Sequence, residues 1–218
     1  TQQWLDEMAA AHELGFKTTS TIMYGHVERL EHWARHLIRI RTLQERTGGF
    51  TEFVPLPFIH MEAPMYLKGQ ARKGPTFREA VLMHSVARLA FGKSIRNIQA
   101  SWVKMGHEGI KACLNAGCND LGGTLMNESI SRAAGTQHGQ ETSPMKMRKL
   151  IQMLNRNPTQ RNTVYGKVSR EREDSGIKAK ELEEINNTPA KKYERKTPSS
   201  ALIRNEPAKL LDVSQIGG

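Results

Sequence analysis

The residues able to do chemistry in this chain stand where strand-like runs break off. Thr19 to Glu28 reads TSTIMYGHVE, an alternating stretch that ends at Gly25 and reaches a carboxylate, Glu28, where a helix-like run begins. A helix start favours negative charge, so Glu28 is expected to cap or tether that turn. In FVPLPFIHMEAP, Pro55 and Pro57 cannot donate ladder hydrogen bonds, which releases the strand end and frees His60 and Glu62 to stand at its mouth. His60 changes charge near neutral pH and is the general acid or base candidate, with Glu62 beside it; an ordinary surface loop explains the pair equally well. Between Ile95 and Lys104, alternation places Asn97, Gln99 and Ser101 on one face and Ile98, Ala100 and Trp102 on the other. An inward row of amides and a hydroxyl suits a polar ligand, and an internal network with ordered water suits it too. Finally, NDLGGTLMNESISR offers Asp120, two glycines (Gly122, Gly123) for close backbone approach, Asn127 as a helix cap and Glu128 in the first turn. Helix amino termini take anionic or acceptor groups, though capping alone accounts for Asn127 and Glu128.

Positioning these groups requires an alternation of strands and helices. Strands are expected over Thr18 to Gly25, Phe50 to Ile59, Ile95 to Lys104 and Asn119 to Leu125, with helices over Leu30 to Arg46, Thr76 to Phe91 and His107 to Ala116. That rhythm predicts βα units and a parallel sheet. Trp33, Leu37, Ile40 and Leu43 form the buried stripe of one helix, which Gly48 and Gly49 stop. Pro75-Thr76 opens the next, with Val81, Leu82, Val86 and Leu89 as its inner stripe and His84 as a partly buried structural histidine. Pro144 to Leu154 is one more amphipathic helix. Tyr24 and His26 reach the site or point outward; parity does not decide between them.

Composition narrows the classes. The net charge is +10 and the 218 residues include two cysteines, Cys113 and Cys118. Iron–sulfur ligation needs three or four thiolates, so these two are expected to be buried structural thiols. The basic residues are scattered: Arg29, Arg35, Arg39, Arg41 and Arg46 share one helix with Glu28, Glu31 and Glu45, a solvated outer face rather than a nucleic-acid footprint. No apolar run is long enough to span a membrane, and a cytoplasmic location is expected. Because the chain starts with Thr1 inside a helix-like run, it reads as a piece of a longer protein. Residues 1–135 are expected as one barrel-like region, 136–166 as a helical extension, and 167–218 as a flexible, charged, basic tail poor in aromatics.

Several segments together, TSTIMYGHVE, HWARH, GGFTEFVPLPFIHMEAP, GPTFREAVLMHSVARL, NIQASWVKMG and NDLGGTLMNESISRAAG, resemble the C-terminal half of the tyrosine-using subunit or domain of FO synthase, a radical S-adenosylmethionine (SAM) family of deazaflavin biosynthesis. The resemblance implies an α/β fold, the C-terminal half of a radical SAM (β/α) TIM-type barrel with a disordered basic tail. It implies a 4-hydroxyphenyl transferase reaction that joins the p-hydroxybenzyl group of L-tyrosine to 5-amino-6-(D-ribitylamino)uracil. Thr21-x-Met23-x-Gly25-x-x-Glu28 is similar to the family pattern Gly-x-Ile-x-Gly-x-x-Glu, which makes Met23, Tyr24, Gly25 and Glu28 the SAM-binding candidates. Asn97, Gln99, Ser101, Asp120, Asn127 and Glu128 become candidates for the substrates. The family's 4Fe-4S cluster sits on a three-cysteine loop that this sequence lacks, so its ligands, a missing N-terminal half-barrel and a companion FO synthase radical subunit or domain are expected as partners. The chain alone is expected to be inactive. A menaquinone-pathway enzyme of aminofutalosine synthase or dehypoxanthine futalosine cyclase type shares part of the pattern, and a non-catalytic truncated half-barrel is the remaining alternative.

Overall fold

The computed structural model describes residues 1–125 and 127–182. In chain order it contains α1 (Gln2–Glu13), β1 (Thr18–Tyr24), α2 (Leu30–Thr47), β2 (Phe50–Pro57), α3 (Pro64–Leu67), α4 (Phe77–Phe91), α5 (Trp102–Asn115), α6 (Ile130–Ala133), α7 (Pro144–Gln152) and α8 (Arg170–Lys178). The strands β1 and β2 pair in parallel, with Thr19 opposite Glu52, Thr21 opposite Val54 and Met23 opposite Leu56. Alternation therefore sorts β1 cleanly: Ser20, Ile22 and Tyr24 are buried, while Thr19, Thr21 and Met23 are exposed on the opposite face.

The other two expected strands are reduced to isolated parallel bridges, Phe53 with Ile98 and Gln99 with Asp120. They still continue the layer in the expected order, since Phe53 N–H donates to Asn97 O and Ala100 N–H to Asp120 O, both at 2.9 Å. The expectation of a strand through Lys104 fails for a local reason. The Ser101 carbonyl accepts from the N–H groups of Lys104 (3.2 Å) and Met105 (3.0 Å), so α5 starts at Trp102, whose indole anchors the turn by donating to Gly123 O at 3.0 Å. A break at Gly106 (φ 64°) divides α5, and a Cβ there would lie 2.8 Å from the His138 ring. The helix expected from His107 is thus the part beyond the break.

Burial on the helix side explains the remaining elements. Trp33, Leu37, Ile40 and Leu43 are all buried as expected, and Tyr24 meets Trp33 edge-on at 5.2 Å. The chain leaves α2 through Gly48 in the left-handed region (φ 62°), where glycine carries no Cβ penalty. Helix α4 has the expected start, with Thr76 and Glu79 forming a reciprocal capping box, but not the expected face. Ala80, Met83, His84, Ala87 and Phe91 are buried, while Leu82, Val86 and Leu89 are exposed. Small alanines let α4 approach the sheet closely, and the bulkier branched residues point away. His84 is fully rather than partly buried, its Nδ1 2.7 Å from Ala80 O, and Cys113 and Cys118 are the buried thiols expected.

The C-terminal elements fold back on this layer. Ser143 caps α7 by accepting from Lys146 N–H, and Leu150 enters the main core. Within the stretch expected to be a flexible tail, residues 167–182 are described and include α8, which is tied to α7 by the Arg148–Glu173 ion pair. The rest of that stretch, 183–218, lies outside the described residues. Among the described residues no helix is long and apolar enough to cross a membrane.

Candidate active site

Glu28 holds the turn at the carboxyl end of β1. Its carboxylate accepts from the backbone N–H groups of Gly25, His26 (2.9 Å) and Val27 (3.1 Å) and from the Trp33 indole (2.8 Å). Burial alone would raise this carboxyl, but these donors outweigh it and hold Glu28 below the usual carboxylate value. The tethering role expected of Glu28 is therefore its observed environment. Gly25 has φ +94°, and a Cβ there would collide with Pro75, 2.2 Å from its Cδ, so close packing of the protein on itself accounts for the glycine. His26 sits beside Glu28 (Nδ1 to Oε2, 3.1 Å) and edge-on to Phe58 at 5.8 Å.

The cofactor-binding candidates divide at Tyr24. Met23 is 55% exposed and lines a cavity of about 350 Å³ at the carboxyl ends of β1 and β2, together with Pro57, Phe58, Ile59, Glu62, Lys104 and Ser131. Tyr24, one residue on, is fully buried against α2 on the other side of the sheet, away from that cavity. Period-two geometry forces this division.

The expected substrate residues lie at two levels. Near the amino ends of the strands, Gln99 and Asp120 line a larger cleft of about 1220 Å³ whose other wall is the segment after α7. Arg161 enters from that segment: its Nε donates to Asp120 Oδ2 at 2.5 Å and its Nη2 to Glu52 Oε2 at 3.3 Å and Gln99 Oε1 at 3.5 Å. Tyr165 lies under the guanidinium, 4.0 Å from ring centroid to Cζ, and donates its hydroxyl to Glu52. Thr19 donates to the same carboxylate at 3.0 Å. Burial and the carboxylates of Asp120 and Glu52 push the Tyr165 phenol far above its ordinary value. Asp120 and Gln99, expected to touch a ligand, are thus satisfied by the protein's own internal network. Asn97 donates to Thr51 O at 2.8 Å and lines the same cleft, while Ser101 is the buried residue preceding α5 and lines neither cavity. Gly122 makes room for the Gln99 amide, 2.8 Å from the position a Cβ would take.

At the opposite, carboxyl-end level stand Met23, Glu62, Lys104 and Glu128. The separation from Thr19 to Met23 along β1 is about 13 Å at strand rise. His60 is half-buried, packs edge-on against Tyr66 at 4.7 Å, and is not among the residues lining the smaller cavity, whereas Glu62 is. Asn127 adopts φ 58° and accepts from Arg132 at 2.9 Å, so it does not cap a helix; Glu128, the residue before the Ser129 N-cap of α6, accepts Ser131 N–H at 2.9 Å. Lys104, missed in the sequence because the strand was carried through it, donates to Ser131 Oγ at 3.3 Å. Burial depresses its ammonium pKa, offset only in part by the Glu128 charge. The signal was a lone lysine inside the apolar run WVKMG.

The metal question has a clear chemical answer for the described residues: no group of three His, Cys, Asp or Glu side chains is placed to hold a metal ion. The whole sequence contains only two cysteines, so a thiolate-bound cluster needs ligands from elsewhere.

Comparison with known proteins places most of the chain in one family. The chain is 48% identical over 167 residues to an FO synthase of Nocardia farcinica, covering 77% of this chain and 19% of that protein. It is 50% identical over 166 residues to the 5-amino-6-(D-ribitylamino)uracil--L-tyrosine 4-hydroxyphenyl transferase of Methanopyrus kandleri, covering 76% and 45% respectively. An FO synthase of Streptomyces coelicolor is 49% identical over 170 residues, covering 78% of this chain and 20% of that protein. The chain thus spans under half the length of these relatives. The family model described as the CofH/MqnC C-terminal region matches residues 47–173, from the end of α2 through the Arg161 segment into α8, and the chain belongs to that family.

Proposed function

We propose that this chain is the C-terminal half of the catalytic barrel of a radical SAM transferase that joins the p-hydroxybenzyl group of L-tyrosine to 5-amino-6-(D-ribitylamino)uracil. The observation that carries the reading is the carboxyl-end cavity, where Met23 and Glu62 converge beside the turn locked by Glu28. Ligands of parallel α/β sheets bind at the carboxyl ends of the strands. The named relatives supply the substrates of the proposal: one carries both the aminouracil and tyrosine in its name.

The residues present fit part of the cofactor set. Met23, Pro57, Phe58 and Ile59 form an apolar wall suited to the face of an adenine ring. These residues would hold SAM, whose chemistry there would be to furnish a 5′-deoxyadenosyl radical and methionine on receiving one electron from a reduced cluster held elsewhere, the radical serving to abstract hydrogen from tyrosine. What this chain contributes is placement and exclusion of water: Glu28 fixes the turn, Met23 covers the ring, and Glu62 and Lys104 give the wall its charged groups. The 4Fe-4S cluster does not fit these residues, and in this reading its ligands belong to an N-terminal half-barrel.

The test is turnover by the full-length protein with SAM, reductant, L-tyrosine and the ribitylaminouracil. Deoxyadenosine and a tyrosine-derived adduct of the uracil, identified by mass, are expected. Deoxyadenosine formed only with a futalosine-type substrate would replace this reading with the menaquinone-pathway one, which the joint CofH/MqnC family description keeps in view.

A further inference from the structure

We infer that Lys104 and Glu62 form a receptor for the zwitterionic headgroup of an α-amino acid, the lysine taking the carboxylate and the glutamate the ammonium. The inference rests on the cavity being the active site, as proposed above, and goes beyond it by assigning two charged residues to one chemical group. Both side chains line the same cavity of about 350 Å³, whose walls are otherwise mostly apolar. One short element touches both residues: the Glu62 backbone N–H donates to Ala134 O at 3.1 Å, and Lys104 Nζ to Ser131 Oγ at 3.3 Å, at the two ends of the α6 turn.

Their partners are incomplete. Among the described residues no carboxylate lies within 4.0 Å of Lys104 Nζ, and no cation lies within that distance of the Glu62 carboxylate. A half-buried ammonium facing an apolar cavity, hydrogen-bonded to a hydroxyl and reached by the Glu128 charge only from beyond 4.0 Å, is unfavourable unless a closer anion completes it. The depressed ammonium pKa has the same origin, loss of water without gain of a full counter-ion. An acid and a base lining one apolar pocket discriminate a zwitterion from a molecule lacking either charge, because the analogue leaves one half-buried charge unpaired.

An α-amino-acid headgroup occurs in L-tyrosine and in the methionyl end of SAM, and binding separates the two sources. On the full-length protein, titration calorimetry is run with L-tyrosine and with tyramine, which lacks the carboxylate, and in parallel with SAM and decarboxylated SAM. Wild-type protein is expected to prefer the carboxylated member of one pair by about tenfold or more. Lys104→Met is expected to abolish that preference and Lys104→Arg to retain part of it, while Glu62→Gln weakens L-tyrosine relative to 3-(4-hydroxyphenyl)propionate. Loss of the preference in the tyrosine pair assigns the site to the substrate, and loss in the SAM pair assigns it to the cofactor. Equal preference in wild type and Lys104→Met for both pairs, or no preference in wild type for either, overturns the inference; the latter needs no variant to fold. Product formation by wild-type protein is scored separately, so failure here leaves the transferase reading standing.

Discussion

Glu28 orders the turn after β1 by itself, since one carboxylate receives three backbone N–H groups and an indole. Replacing it by Gln leaves donors competing for a single amide oxygen, and Glu28→Gln is expected to destabilise the protein by about 1–3 kcal/mol in chemical denaturation. The charge adds a pH dependence. Because the folded-state pKa lies below the ordinary value of 4.5, the stabilisation is present above that value and is lost as pH falls through the depressed folded pKa. Glu79, held low against burial by Arg72 and Thr76, contributes in the same acidic window. Acid melts of Glu28→Gln should therefore show a shallower loss than wild type, not none; an unchanged acid profile would remove Glu28 from this account. At this scale the sequence was legible where spacing implies a contact, as with Glu28 three residues after Gly25. Tyr24 was not, because alternation separates two faces of a strand without saying which face the helices cover.

Elements show where hydropathy misleads. In α4 the branched residues Leu82, Val86 and Leu89 share a face at helical spacing, yet the buried face is the one with Ala80, Met83, Ala87 and Phe91. The choice is made by how closely the helix must approach its neighbours, which ranking by hydrophobicity does not contain. Leu89, 82% exposed, should accept Lys within about 0.5 kcal/mol. Ala87, wholly buried, should lose about 1–3 kcal/mol on substitution by Leu, because added methylenes have nowhere to go. Thermal unfolding of the two variants checks the phase of the helix, and the reverse order would refute it. The segment after α7 was legible only as the end of the extension expected over 136–166, since RNPTQRNTVYG has no period, and its meaning lies in Arg161 meeting Glu52 across 109 residues. Arg161→Met would leave the Asp120 and Glu52 carboxylates, 6% and 11% exposed, without their cation. An expected loss of about 3–5 kcal/mol, with faster proteolysis around residues 156–167 and partial recovery on adding Asp120→Asn, follows from burying uncompensated charge.

For the molecule as a whole, the parallel layer is unevenly covered. Helices pack on one face, and the Arg161 segment fills the other only near the amino ends of the strands. Toward the carboxyl ends the inner face of β1 is open at Thr21 and Met23, and among the described residues its outer edge has no strand partner. Large apolar side chains stand exposed nearby, Val27 at 54% and, at the entry to β1, Phe16 at 64%. A bare parallel edge beside apolar surface is a template for association, and all-parallel sheets are stable when both faces are covered. The net charge of +10 opposes self-association through repulsion that salt screens over about 8–10 Å at physiological strength. The chain studied alone is therefore expected to associate with rising concentration, and more so as ionic strength rises, in size-exclusion runs with light scattering. Coexpression with the N-terminal segment of a relative should suppress that association and raise the melting temperature if, as in the proposed half-barrel, that segment brings strands that cover the open edge. A monodisperse monomer at all salt concentrations, with a melting temperature indifferent to that segment, would mean that the exposed face of β1 is a finished surface rather than one wall of a larger barrel.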